Sequence, residues 1–480
     1  MLEEMVQDWV TDLLAQKEEW SRELSQDFDF AALEAKVGEA LDRLGAEVLK
    51  ATLSALLMAP EFVRVLKALG GRLGMRLNGY RSVKVRLGNG QWVEVVTAYF
   101  VKAAPKRRRR ARRKGAYLGL EVLGFLRRWS SRLVSEVAQA ALLCPSLEVA
   151  HTVLERRGLK LNVKTIRGMC RALAEQGRSF RGEISLTGTE ELAGHTLVIG
   201  IDGGRLRERR AKRGRKKAGQ KRQGYHTDWK EPKLFTVYVL DNEGQVVKSF
   251  APLHDATMQD HEGLFALLDG YLDALDLQSV ARIVFCGDGA RWIWSGVEAL
   301  CQRQGLDKER VYQVIDYTHA KQNLQELIDL LPARLQREGR LARQWRDWLW
   351  QGNLDALYQS VCETLRGKKK AQALKKWDDY FDRNDKRLQY ARFRELAVPC
   401  GSGCVESAIR RVINLRLKAP GTFWTPEMAE CFLFLRSQLI SGRWDIFIHN
   451  VARLTTRLLE PLENDISLVE SQPDQYLLAA

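Results

Sequence analysis

Thr196-Leu197-Val198-Ile199-Gly200-Ile201-Asp202-Gly203-Gly204 is an apolar run that ends on an acid and two glycines. Further along, Ala281-Arg282-Ile283-Val284-Phe285-Cys286-Gly287-Asp288-Gly289-Ala290 repeats the plan. Short apolar runs rich in β-branched residues and bounded by glycine read as buried strands. Between them, Leu234 to Leu240 (LFTVYVL), a turn at Asp241-Asn242-Glu243-Gly244, and Gln245 to Phe250 predict a hairpin. Helical periodicity follows over 260–275 and 292–303, and Val311 to Ile315 is a further strand. Strands that pair as a hairpin and then alternate with helices predict a mixed α/β sheet.

An acid at the exit of a buried strand, beside glycines that let a ligand approach the backbone, suits cation binding. Asp-Gly is also an everyday turn, so the signal lies in its repetition at Asp202 and Asp288. A third acid, Glu406, falls in the first turn of a helix expected from Val405 to about Lys418. The plainer reading of Glu406 is an acid favouring a helix N-terminus. Asp, Asp and Glu converging at one sheet edge hold two Mg²⁺ ions about 4 Å apart. Magnesium is hard and takes oxygen ligands, so carboxylates are the residues this chemistry needs.

The chain has 480 residues, 45% of them hydrophobic and 28% charged, which reads as a globular chain of several domains. No apolar run approaches the roughly 18 residues of a membrane span. The N-terminal Met1-Leu2-Glu3-Glu4-Met5 lacks the build of a secretion signal, so the expected place is the cytoplasm or bacterial nucleoid, with no membrane partner. The eight cysteines are scattered and read as reduced core residues. Cys400 and Cys404 lack the second pair that a structural zinc site needs.

The net charge of +16 is concentrated. Lys106 to Lys114 (KRRRRARRK) carries eight basic residues and no acid, with Lys106, Arg107, Arg108, Arg109, Arg110, Arg112 and Arg113 as candidate phosphate contacts. Arg205 to Arg222 carries eleven basic residues and one acid, with Arg209, Arg210, Lys212, Arg213, Arg215 and Lys216 as further candidates. Blocks this dense repel themselves and stay loops unless a polyanion neutralises them. A solubilising loop is the bland reading; nucleic-acid phosphate is the partner that such clusters fit, through counterion release. The first fifty residues run the other way, with thirteen acids against five bases, and read as amphipathic helices suited to packing or self-association.

Residues 1–75 read as helical, and Val83 to Leu87, Gly88-Asn89-Gly90 and Trp92 to Val96 as a hairpin. Ser146 to Arg156 and, after Asn162, Val163 to Gln176 read as two helices with a short connection. That is the plan of a helix-turn-helix, or of an ordinary helical hairpin. Lys164, Arg167 and Arg171 share one face of the second helix. Residues 320–395 are helical throughout and rich in Trp, Leu, Arg and Lys, and 465–480 read as a loose tail.

With these residues in hand, the chain resembles bacterial insertion-sequence DDE transposases of the RNase H-like fold, most of all the ISKra-type and ISLre-type groups. The resemblance rests on 198–204, on Cys286 to Ala290, on Gly401 to Arg411 followed by Asn414 to Lys418, and on Phe423-Trp424 and Ser441 to Trp444. It implies an α/β RNase H-like catalytic core over 191–319 and 396–445, interrupted by an all-helical insertion domain at 320–395. A mostly helical N-terminal DNA-binding region is implied before it, divided as 1–115 with the hairpin and basic loop and 116–190 with the helix-turn-helix-like region; 446–480 forms a C-terminal helix and tail. The catalytic triad carries over to Asp202, Asp288 and Glu406. Asp316-Tyr317-Thr318-His319 resembles the D-x-x-H signature of Mutator-like and hAT-like relatives, which makes Asp316 and His319 secondary catalytic candidates; capping or packing is the plainer role for His319. Arg410, Arg411, Arg416 and Lys418 are candidate DNA contacts. The implied cofactor is Mg²⁺, two ions, with Mn²⁺ as a substitute. The implied partners are double-stranded DNA (terminal inverted repeats and target) and at least a second copy of the chain on that DNA. Two other readings stand beside the transposase: an endonuclease on the same fold without strand transfer, and a domesticated DNA-binding protein.

Overall fold

The computed structural model describes residues 2–102, 115–181, 188–214, 219 and 224–458. Lys106 to Arg113, Arg215, Lys216 and the tail 465–480 lie outside the described residues. The chain forms two compact units, one from Met1–Gly177 with Asp445–Ala480, the other from Arg178–Trp444. Its architecture is mixed α/β with a mostly helical N-terminal region.

The first unit opens with α1 (Leu2–Asp27), α2 (Phe30–Met58) and α3 (Pro60–Arg72). Asp29 caps α2 by accepting the N–H of Ala32 at 3.0 Å, and Pro60 starts α3 where no N–H is needed. The expected hairpin follows as β1 (Met75–Arg86) and β2 (Trp92–Lys102), with β3 (Gly115–Ala116) on the far edge of β2. The register Val83↔Val95 and Val85↔Val93 turns one apolar face inward against Ala46, Leu57 and Leu120. Then come α4 (Leu118–Val122), α5 (Ser131–Leu143), α6 (Leu147–Arg156) and α7 (Val163–Arg178). Ser146 caps α6, and the carboxamide oxygen of Asn162 accepts from Thr165 at the start of α7.

The second unit is built on a five-stranded sheet with a separate two-stranded ribbon: the chain runs through β4 (Thr196–Gly203), the ribbon strands β5 (Leu206–Ala211) and β6 (Tyr225–Lys230), then β7 (Lys233–Leu240) and β8 (Leu253–Thr257). After α8 (His261–Leu272) the chain forms β9 (Arg282–Gly287), α9 (Arg291–Arg303) and β10 (Val311–Ile315). The sheet order is β10-β9-β4-β7-β8. β4 is antiparallel to β7, and β7 to β8; β9 is parallel to β4, and β10 to β9. The helical stretch comprises α10 (Tyr317–Ile328), α11 (Ala333–Glu338), α12 (Arg340–Gln351), α13 (Leu354–Thr364), α14 (Gly367–Lys376) and α15 (Tyr390–Glu395). The chain returns to the sheet through α16 (Gly403–Ala408), and α17 (Pro426–Ile440) lies along β8. α18 (Trp444–Ala452) follows and, from Asp445 on, belongs to the first unit.

Three expectations are corrected. The hairpin partner of β7 is β8, in the register Val237↔Leu253, whereas 245–250 contributes only the bridge Leu240↔Val246. The side chains of β8 are buried throughout, including His254 and Asp255, and that polarity disguises it in sequence. The dense basic segment after β4 begins as the paired ribbon β5–β6 and not as a loop. The helix expected from Val405 to Lys418 stops being α-helical after Ala408 and continues as a π-turn over Ile409–Asn414. Arg436 on α17 donates to the carbonyls of Arg411 and Val412, which gives the widened turn partners.

One buried polar cluster ties this unit together. Arg181 is 7% exposed and its Nε donates to Asp255 Oδ2 at 2.7 Å, while Asp255 is fully buried. Arg181 also donates to the carbonyl of Ala256 and to Glu430 on α17, and Tyr271 donates to Asp255 at 2.9 Å. Removing one member of a buried pair leaves an uncompensated charge, which costs about 3–5 kcal/mol. Arg181→Met is therefore expected to lower the unfolding free energy read from urea titration by that much, and Arg181→Met with Asp255→Leu to recover part of the loss. Equal stability of Arg181→Met and the parent would show that the pair does not hold the unit.

Candidate active site

β4 and β9 run side by side in parallel with Ile201 opposite Gly287. That register carries Asp202 and Asp288 out of the same sheet edge as neighbours. β4 and β9 are apolar up to these positions, and the acids sit where the strands reach the sheet edge; both are half-buried. Each carboxylate takes one local N–H: Gly203 donates to Asp202 Oδ1 at 2.6 Å, and Ala290 donates to Asp288 Oδ1 at 2.8 Å.

Glu406 arrives from α16. That helix lies on β4 because Gly200 leaves room for Val405: a Cβ at Gly200 would sit 3.0 Å from the Val405 Cβ. Val405 and Ala408 face the sheet, and Glu406 points outward, exposed. Its Oε1 lies 3.4 Å from the Ser402 hydroxyl.

The electrostatics join what the chain separates. Burial raises the Asp202 carboxyl to about 6; the Gly203 N–H and the nearby His319 ring pull it down, while the charges of Asp288 and Glu406 push it up. Asp202, Asp288, Glu406 and His319 therefore share one electrostatic neighbourhood. All the acidic donors are carboxylate oxygens, the type that hard divalent cations take. A bound cation would relieve the repulsion at Asp202. Among the described residues, no three His, Cys, Asp or Glu side chains stand close enough to form a ready-made metal cage. The acids share a field, and the residues fit a cation in donor type and charge.

Asp316, expected as a secondary catalytic group, is structural. It is 1% exposed, and its two oxygens receive the N–H groups of Thr318, His319 and Ser402 and the Ser402 hydroxyl. Burial alone would raise its pKa; the Ser402 and backbone hydrogen bonds outweigh that and hold it below the usual carboxylate range. No oxygen is left for substrate, so Asp316 positions Ser402 and through it α16. His319 stays half-buried on the first turn of α10.

Two side chains near the acids were not legible in the sequence. Tyr380, in the helical stretch, lays its ring against Gly289, and its hydroxyl is driven upward in pKa by burial, then by Asp288 and Asp316. Glu231 lies against the backbone of Gly203, where a Cβ would come within 2.3 Å of its carboxylate. Neither stands in a recognisable motif; only the folded chain brings them here.

The basic candidates divide. Arg209, Arg210, Lys212, Arg213, Arg410, Arg411 and Lys418 are exposed. Arg416 is corrected: it is 2% exposed, with its guanidinium 5.2 Å from the Trp424 ring centre and 5.1 Å from that of Phe432, so it packs the interior and is closed to phosphate. In the other unit, Lys164, Arg167 and Arg171 are exposed on α7, opposite the buried Ile166, Met169 and Leu173, and Arg171 is paired with Glu175 at 2.7 Å.

No known protein family, no curated protein and no solved structure matches the chain.

Two expectations separate charge from scaffold. The folded-state pKa of Asp202 lies near 6 against an ordinary 3.8, so the folded chain holds this proton longer than the unfolded chain. Stability from this group is present below about pH 4, falls as pH rises through 6, and is lost above it. Asp202→Asn is expected to raise stability at pH 8 without divalent cations by roughly 2–3 kcal/mol at most, with no gain near pH 4. Thermal unfolding across pH reads this; a gain independent of pH would refute the electrostatic cause. Second, Asp316→Asn is expected to cost about 2–4 kcal/mol, since it unpairs buried donors, whereas Glu406→Gln stays within about 0.5 kcal/mol. Matching losses in denaturant titrations would contradict the division of roles.

Proposed function

We propose that the chain is a Mg²⁺-dependent DNA transposase with an RNase H-like core and Asp202, Asp288 and Glu406 as its catalytic carboxylates. The observation that carries this reading is that Asp202 and Asp288 leave one sheet edge side by side and that the charges of Asp288 and Glu406, from distant segments, both act on the Asp202 carboxyl. The sheet supports it too. Three strands in antiparallel succession, then two parallel strands joined through helices, put the first and fourth strands side by side, as an RNase H-like core requires. The helical stretch between β10 and α16 sits where such transposases carry an insertion.

Asp202, Asp288 and Glu406 would hold the metal. When bound, magnesium supplies an attacking water or 3′-hydroxyl of lowered pKa and stabilises the leaving oxygen. The chain's own part is placement: the β4–β9 register fixes two acids, Asp316 and Ser402 fix the helix of the third, and exposed Arg410, Arg411 and Lys418 follow it to meet phosphate.

The test uses the full-length protein, DNA carrying the sequences that flank the gene, and a target plasmid. Magnesium-dependent cleavage with joining of 3′ ends is expected. Asp202→Asn, Asp288→Asn and Glu406→Gln are each expected to reduce both steps by at least 100-fold while DNA binding in a gel-shift assay persists. Full activity in any one of them dismisses the triad. Cleavage without joined products turns the reading to an endonuclease.

A further inference from the structure

The ribbon that leaves the carboxylate edge has two unlike faces. Alternation in the register puts Leu206, Glu208, Arg210, His226, Asp228 and Lys230 on one side. There Arg210 is paired with both Glu208 and Asp228, so its charge is spent internally. The opposite side presents Arg207, Arg209, Tyr225, Thr227 and Trp229. Among the described residues no carboxylate pairs with Arg207 or Arg209 there.

That second face is aromatic as well as basic. Trp229 is 57% exposed and Tyr225 is 45% exposed, and they share this one face. Phe423 joins them, its ring centre 5.7 Å from that of Tyr225. The Arg207 guanidinium lies 4.7 Å from the Phe423 ring centre and 5.6 Å from that of Trp229. Phe423 is brought here by backbone pairing of its neighbour with the free edge of β5: the Trp424 N–H donates to the Arg207 carbonyl, and the Arg209 N–H donates to the Trp424 carbonyl. The Arg207 guanidinium also donates to the Ala419 carbonyl at 3.3 Å, so it is anchored beside the rings without a carboxylate partner among the described residues. Exposed aromatic rings beside guanidinium groups that no carboxylate neutralises are what a single nucleic-acid strand requires, with bases stacking on rings and phosphates meeting cations. A fully paired duplex hides its base faces and would use the arginines alone.

We infer that this face of the ribbon, centred on Arg207, Tyr225 and Trp229, binds unpaired bases of a DNA strand beside the carboxylate edge. The inference rests on the DNA reading of the site. Arg207 is five residues from Asp202, so their Cα atoms are at most about 18 Å apart. Tyr225 and Trp229 are four strand positions apart, about 13 Å, several times the 3.4 Å rise between bases stacked in a duplex. The two rings therefore suit bases that have left the stack.

The experiment compares two labelled DNAs of equal length and equal phosphate count, one fully paired and one with a three-base mismatched bubble. Binding is measured by fluorescence anisotropy in EDTA, so cleavage plays no part. The full-length protein is expected to prefer the bubble by roughly 5- to 150-fold. Trp229→Ala with Tyr225→Ala is expected to remove that preference and leave paired-duplex affinity within about twofold, since duplex binding runs through phosphate contacts. Trp229→Phe should keep most of the preference, because it keeps a ring. Equal binding of both DNAs by the parent protein, or an undiminished preference in the double variant, overturns the inference. So does a double variant that changes only the oligomeric state, which would make the face a contact between copies. Magnesium-dependent cleavage is scored separately. Cleavage without bubble preference sinks this inference alone, whereas bubble preference without cleavage upholds it and sinks the catalytic reading.

Discussion

Asp316 grips the chain on both sides of a long excursion. Its carboxylate caps α10 on one side and takes the N–H and hydroxyl of Ser402 on the other, a separation of 86 residues. Closing a loop of that length has an entropic cost, and a buried, fully used carboxylate is well suited to offset it. The consequence reaches the candidate site directly. Ser402 begins α16, α16 lays Val405 against Gly200, and Glu406 then faces outward beside the strand that carries Asp202. Without the grip, the third acid has no fixed relation to the other two.

The candidate site strains against this scaffold. Asp202 is held in partial burial with like charges nearby, and its raised pKa measures how poorly the folded chain tolerates that charge. Asp255 in the same unit is far more buried, yet the Arg181 guanidinium and the Tyr271 hydroxyl give it complete partners. The contrast is informative. The fold can satisfy a buried carboxylate when the role is structural, and at the sheet edge it leaves Asp202 half-buried beside the charges of Asp288 and Glu406. Sites that break local rules in this way are where function is expected.

Much of this was written in the sequence. Asp202 and Asp288 stood out because each closes an apolar run and is followed by glycine, and the hairpin at Val83 to Val96 by its alternation around a Gly-Asn-Gly turn. Glu406 was legible only through its motif; nothing in composition says that α16 lies on β4. β8 was missed because His254 and Asp255 look like loop residues until Thr236 and Arg181 are seen to satisfy them. The ribbon was missed because repulsion among like charges argues for a loop, whereas β5 is held by backbone pairing on both edges, to β6 and to Trp424. Arg416 was misplaced because sequence reports that a residue is charged and does not report which way it points.

That last failure has a general physical basis in this chain. Arginine serves two ends here, and composition adds them together. Arg416 and Arg436 lie inside, their guanidinium groups against aromatic rings or backbone carbonyls, and burial lowers the pKa of Arg436 to about 10. Arg210 stands outside but spends its charge on Glu208 and Asp228. Arg207 and Arg209 point the other way from the same strand, and no carboxylate of the described residues pairs with them there. A count of basic residues therefore overstates the charge open to a polyanion, and the excess is not removed evenly. On the ribbon it is removed from one face and kept on the other, so the strand pleat turns a run of similar residues into a surface with a direction.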